Sequence, residues 1–291
     1  MKMNLPQSAH RFCQDRPILT SSSGDRGIAL KDVLWMPGEL ITIAFLDGTI
    51  EQRNNFQLGL QIWGQYVNLN FQIVPDINRA VVRVAHLPNQ SWSEVGTNAK
   101  RVRGTQPTLS IGWDGMDIIL HEIGHLLGLG HEHQNPDNQI RWNTQVLNEV
   151  LGGPPNFWTP QIIEQNIINR YSTSQIIGTQ FDAQSIMLYP VDPTWTLDGF
   201  STNWNINLSS LDIDLVKRLY PFADGVNIIK QVVTQIQDGS ILISNMTDDP
   251  VTPILIQSEN GDELAAIGSI FIIGLGILIG SKIIRNFSKN E

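Results

Sequence analysis

The 291-residue sequence predicts an α+β fold, and three observations carry that reading. Leu40 to Phe45 alternates in the manner of a strand, whereas the segment after it places Phe56, Leu60 and Trp63 at helical spacing, so a period of two gives way to one near 3.6. Further strand-like runs then precede a second helical segment that starts near Met116. From residue 132 to 222 the chain is rich in Asn, Trp and Pro.

Each element has a local reason. Asp47-Gly48 is a turn signal, and the stretch Ile50 to Val67 behind it reads as a core helix. Phe71 to Val74 and Val81 to Leu87 read as strands, followed by one near Trp92 and another at Leu109 to Trp113. Gly152-Gly153-Pro154-Pro155 reads as a rigid loop, with the aromatics of Asn156-Phe157-Trp158 serving packing. Residues 224 to 263 hold short apolar stretches such as Ile241 to Ile243 and Val251 to Ile256, broken by Asp, Asn and Pro, which suggests a linker or small strand-bearing stalk over 223–263.

The densest chemical signal is the run from His121 to His131, which reads HExxHxxGxxH. Residues four apart share a helix face, so His121 and His125 can point one ring nitrogen each at a single ion. Gly128 can take the left-handed conformation that ends a helix, letting the chain turn back and deliver His131 as a third ligand. Three protein ligands leave a fourth position open, as a catalytic zinc requires. Glu122 sits beside the metal and can act as general base toward the water that the ion activates. HExxH alone arises by accident in many helices, but all five fixed positions of the longer motif together are expected by chance roughly 10^-5 times in such a chain.

The motif and its surroundings resemble the metzincin metalloproteases and, within them, the astacin family. His131-Glu132 followed by Asp137 is similar to that family's continuation of the zinc motif, and Ser185-Ile186-Met187-Leu188-Tyr189 resembles its Met-turn. Trp92-Ser93-Glu94-Val95-Gly96 resembles the edge strand, and Leu208 to Asp214 with Leu219-Tyr220-Pro221 resembles the final helix. The resemblance covers roughly residues 35 to 221. It implies a metzincin-type α+β domain over 35–222: a twisted mixed sheet with two long helices above a cleft, and an irregular lower subdomain ending in a helix.

The same resemblance implies one catalytic zinc held by His121, His125 and His131, with Glu122 and Tyr189 as the catalytic residues. Met187 would form an apolar floor under the metal, and Tyr189 would be a mobile fifth ligand whose phenol stabilises the oxyanion. It implies a protein or peptide substrate laid as an extra strand along the edge near Trp92. The chain also departs from the family pattern. Its single Cys13 excludes the internal disulfides usual there, Ser91 stands where a half-cystine is expected, and His133 to Asp137 replaces part of an arginine-rich continuation.

Residues 1–34 form a polar extension containing Ser21-Ser22-Ser23-Gly24-Asp25. Family proforms hold an aspartate on the zinc, so Gly24-Asp25 is one candidate for a latency device, and Cys13, as a thiolate plug, is another. No apolar run of signal-peptide length occurs in the first twenty residues, so classical secretion is not expected from them. A net charge of -9 disfavours a nucleic-acid partner, since the nearest basic cluster, Lys100-Arg101-Val102-Arg103, is one short loop that reads as a solvated turn.

Ala265 to Ser281 is uncharged and rich in Ile, Leu and Gly, at the lower length limit for crossing a bilayer. The segment 264–284 therefore reads as a candidate transmembrane helix attaching the chain to a membrane, with a buried hydrophobic hairpin as the other reading. Absent such attachment, a cytoplasmic or nonclassically exported chain is expected. Three functions compete: a zinc metalloendopeptidase, a non-catalytic zinc-bearing binding or adhesion module anchored at a membrane, and a membrane-active protein whose tail is the effector.

Overall fold

The computed structural model describes Cys13, residues 29–154, 156–174, 176–178 and 180–222, and the backbone of short strands between 254 and 279. Five strands form one sheet: β1 (Leu40–Phe45), β2 (Asn70–Ile73), β3 (Val82–Ala85), β4 (Trp92–Ser93) and β5 (Leu109–Ser110). Their order is β2-β1-β3-β5-β4, with β4 the single antiparallel member, paired Trp92 to Ser110 and Ser93 to Leu109. The sheet is thus mixed, and the segment expected to be an edge strand is its outermost strand on that side.

Helix α1 (Ile50–Gly64) starts with a capping box, in which Thr49 accepts from the Gln52 amide and the Gln52 side chain accepts from the Thr49 amide. It buries Phe56, Leu60 and Trp63, the three residues whose spacing predicted it. The helix ends three residues before Val67 because the chain must turn there: the Asn68 amide donates to the Tyr220 carbonyl at 2.9 Å and draws the backbone toward β2.

Helix α2 (Met116–Leu126) packs against α1, and three aromatic side chains take up its carbonyls. Trp63 Nε1 donates to Leu120 O, Trp35 Nε1 to Leu126 O and the Tyr220 hydroxyl to Leu127 O, at 3.0, 2.7 and 2.6 Å. Buried aromatic donors are satisfied while the helix that carries the metal motif is held at its middle and its C-terminal end.

The lower region has few regular elements. It contains a 3₁₀ turn (Glu132–Gln134), α3 (Thr144–Leu151), α4 (Pro160–Ile163) running into a π turn (Glu164–Ile168), and α5 (Ser210–Leu219). Ala29 to Val33, part of the stretch read as a polar extension, are packed into this body. Ala29 bridges Leu129, Leu30 bridges Ile176, and the Leu30 amide donates to Gly128 O at 3.1 Å. Gly24-Asp25 lies outside the described residues. In the basic loop, Lys100 pairs with Glu39 at 2.6 Å and lies over the Trp35 ring.

The chain divides after Pro221, and the second unit holds only strands among its described residues: β6 (Ile254–Gln257), β7 (Glu263–Ile267), β8 (Ile270–Ile273) and β9 (Gly276–Ile279). β6 pairs antiparallel with β7 and β8 with β9. This corrects the transmembrane-helix expectation for 264–284. The described residues of that segment are in strands, and no described helix is long and apolar enough to cross a membrane.

Candidate metal centre

Two ligands come from α2 by periodicity alone, because His121 and His125 lie one turn apart on its cleft face, their rings 4.8 Å apart. Gly128 ends the helix at φ +91°, and its amide donates to His125 O while the Leu129 amide donates to Gly124 O. A side chain there would be strained and would strike Leu34 Cδ2 at 2.8 Å, so the expected glycine hinge is present for two reasons. The chain then returns His131, whose Nε2 stands 3.1 Å from His125 Nε2.

Outer hydrogen bonds set which nitrogen faces inward. His121 Nδ1–H donates to Ile186 O and His125 Nδ1–H to Leu129 O, both at 2.8 Å, which directs each Nε2 into the centre. The Ile186 carbonyl belongs to the Met-turn, itself held by α5: Asp212 accepts from the Ser185 hydroxyl at 2.6 Å and the Ile186 amide at 2.8 Å. Met187 lies under the helix as expected, close enough that a Cβ on Gly124 would come within 2.3 Å of its sulfur.

The donor set fits zinc. One ligand atom each from Cys13, His121, His125 and His131 lies within 4.8 Å of all the others, and all four residues are buried. Two nitrogens bound to one tetrahedral zinc at ordinary bond lengths stand about 3.3 Å apart, close to the His125–His131 spacing. Glu122 is fully buried beside the cluster and accepts from the Cys13 thiol at 3.4 Å. The Tyr189 ring lies 4.4 Å from that of His131, and its hydroxyl donates to the backbone carbonyl of Cys13. Every predicted site residue is therefore in one cluster, and Cys13 has joined it from the far end of the chain.

Sequence reasoning had no role for four neighbours. His133 is fully buried and stacks on Tyr189, Asn166 holds His133, and Ser185 with Asp212 anchors the Met-turn. One signal was available: four of the six histidines fall between 121 and 133. Glu132 points away from the metal cluster, accepting from Asn135 Nδ2 and the Asp182 amide at 2.8 Å each. Burial, with Asp212 and Asp182 nearby, pushes its carboxyl up to about 8. Asp137 lies in the turn that follows, its amide bonded to Asn135 Oδ1.

A mixed sheet over two helices, with HExxHxxGxxH on the second helix and a methionine turn beneath it, defines the metzincin class of zinc proteins. The astacin peptidase family model matches residues 29–202, and the chain belongs to that family. It is 33% identical over 122 residues to the astacin-like metalloendopeptidase of Mus musculus, covering 36% of this chain and 24% of that protein. It is 34% identical over 105 residues to astacin-like metalloprotease toxin 5 of Loxosceles gaucho, covering 36% of this chain and 50% of the toxin. The chain thus spans half or less of these curated relatives. Among solved structures, myroilysin superposes with a TM-score of 0.65 at 30% identity, over 67% of this chain and 98% of that one. One catalytic zinc is the cofactor of this family.

Proposed function

We propose that the chain is a zinc-dependent endopeptidase made in a latent form. The observation that carries the reading is the convergence of three imidazoles, the Glu122 carboxylate and the Tyr189 hydroxyl on one buried point. His121, His125 and His131 would hold the ion, which when bound supplies Lewis-acid activation of water and of the scissile carbonyl.

The remaining chemistry belongs to side chains. Glu122, with one oxygen within reach of the ligand cluster, takes the proton of the attacking water and returns it to the leaving amine. Tyr189 donates to the carbonyl oxygen as it becomes an oxyanion; its bond to the Cys13 carbonyl is the same donor engaging a peptide oxygen. The substrate backbone extends the sheet at β4, where antiparallel pairing presents the peptide bond beside the centre.

The position of Cys13 supports latency. Its sulfur lies among the ligand nitrogens and its carbonyl occupies Tyr189, so this residue takes both places that a substrate and the attacking water need. A thiolate is a strong zinc ligand, and removal of the segment or loss of the sulfur opens the site. The apolar composition of Ala265 to Ser281 keeps membrane attachment within this proposal, through its strands rather than a spanning helix. Vesicle flotation with and without residues 264–284 tests that part.

The central test is zinc content and casein cleavage by the full chain and by Cys13→Ala, each with and without a chelator. Zinc near one per chain, with cleavage that rises in Cys13→Ala and vanishes with chelator, is the expected result. Zinc binding without cleavage in either protein would favour the non-catalytic binding module.

A further inference from the structure

We propose that His133 is a positioning residue for the Tyr189 phenol, an inference that rests on the reading of Tyr189 as the oxyanion donor. The imidazole of His133 lies against the phenol with ring centres 4.6 Å apart and planes 26° from parallel. The same imidazole stands 5.2 Å and 28° from His131, whose ring is itself 4.4 Å from Tyr189, so the three rings pack in a triangle. The phenol therefore packs against both a metal-ligand candidate and a neighbouring second histidine with no place in the ligand set.

His133 has the rigidity that such a role needs. It is fully buried, its Nε2–H donates to the Asn166 carbonyl at 2.8 Å, and its own carbonyl accepts from Asn138 Nδ2. The Trp142 ring meets it edge-on at 6.3 Å. Its lever arm is short, because His133 sits in the same 3₁₀ turn that follows His131, and that turn is tied to the Met-turn by the Glu132 amide donating to Met187 O at 3.0 Å.

The chemistry explains why this position suits an imidazole. A flat face lets the phenol turn within its own plane, toward or away from the centre, while opposing tilt of the ring. The ring nitrogen meanwhile satisfies a buried carbonyl that a phenyl ring would leave without that donor. Phenylalanine would keep the face and lose the donor; glutamine would keep a donor and lose the face.

The test uses the zinc-loaded full-length chain at one fixed pH, and its first readout is independent of activity. Cys13 is the single cysteine, and the Tyr189 hydroxyl holds its carbonyl, so the rate of alkylation by iodoacetamide reports whether the phenol is in place. His133→Gln and Tyr189→Phe should each speed alkylation by about threefold or more, with the double variant within about 1.5-fold of Tyr189→Phe. His133→Phe should stay within about 1.5-fold of wild type, the rescue that a face-dependent role requires. In Cys13→Ala, adding His133→Gln should lower kcat about tenfold with KM changed less than about twofold, and should cost nothing further beside Tyr189→Phe.

Additive effects of the two positions, unchanged alkylation in His133→Gln, or exposure in His133→Phe equal to that in Tyr189→Phe would overturn the proposal. Should His133→Gln lose zinc or melt early, the His133→Phe arm decides. Should Cys13→Ala cleave nothing, the endopeptidase reading fails, while the alkylation cycle still reports on His133.

Discussion

The upper region, from β1 through α2, and the lower region, from His131 to Pro221, build the same centre by different means. The upper one is aliphatic and periodic: Ile41, Ile43, Val82, Val84, Ile123 and their neighbours form one core against which α2 is laid. The lower one has a smaller apolar cluster around Leu147, Trp158 and Ile163, and many of its turns are held by side chains bonded to backbone. Gln134 donates to the carbonyls of Gln165 and Asn169, Asn138 to His133, Asn205 to Ser185 and Ala183, and Asp212 collects donors from the Met-turn. Two metal ligands and the general base come from the periodic region; the third ligand, the phenol and its neighbour come from the polar one. Apolar periodicity can place a helix, but aiming several groups from irregular chain takes directional bonds at many points.

Substitutions in the two halves should fail in different ways. The largest effect is expected for Glu122→Ala in a Cys13→Ala chain: cleavage falls about 10^2–10^4-fold while zinc content and melting temperature hold, since only proton transfer is lost. Leu120→Ala, in the aliphatic core behind His121, should cost about 2–5 kcal/mol by denaturant unfolding and leave kcat of the folded fraction nearly unchanged. Asn138→Ala, fully buried below, should cost about 1–3 kcal/mol. Unlike Leu120→Ala, it should also lower kcat, because it loosens the turn that carries His133. Equal kcat in the two variants would erase the distinction between the halves.

The smallest effect is a pH dependence at Glu132. Its carboxyl is raised to about 8 in the folded chain, so the folded state retains a proton that the unfolded chain releases above about 4.5. That contribution to stability is complete below about 4.5 and is lost as pH climbs toward 8. Glu132→Gln, which cannot ionise, should gain on wild type by about 1–3 kcal/mol in unfolding free energy between pH 5.5 and 8.5, with the gap levelling off above that. A gap that shrinks with rising pH would reverse the sign and require a cation at this carboxylate.

What the letters revealed follows the same division. β1 was legible to the residue, α1 to within a turn, and α2 by its start near Met116, because burying one face of a regular element leaves a period behind. The three histidines and Glu122 were legible because a helix and one glycine turn fix their spacing. The π turn at Glu164–Ile168 and the Asn and Gln network leave no period, since each side chain bonds a carbonyl fixed by distant chain. Cys13 could be named as a candidate plug beside Asp25, but its arrival next to Glu122, 109 residues away, depends on the folded cleft. The tail misled because apolar length alone resembles a spanning helix, whereas its described residues pair as strands.

The bond from Asp212 through the Met-turn to His121 orders events during synthesis. A nascent chain whose growing end has just passed the zinc motif has the ligands but not the brace that aims the first of them. That brace is translated some eighty residues later, on the last helix of the domain. Metal loading with correct geometry is thus deferred until the ribosome has delivered the whole domain, which spares the half-made chain, and its neighbours, from a premature hydrolase.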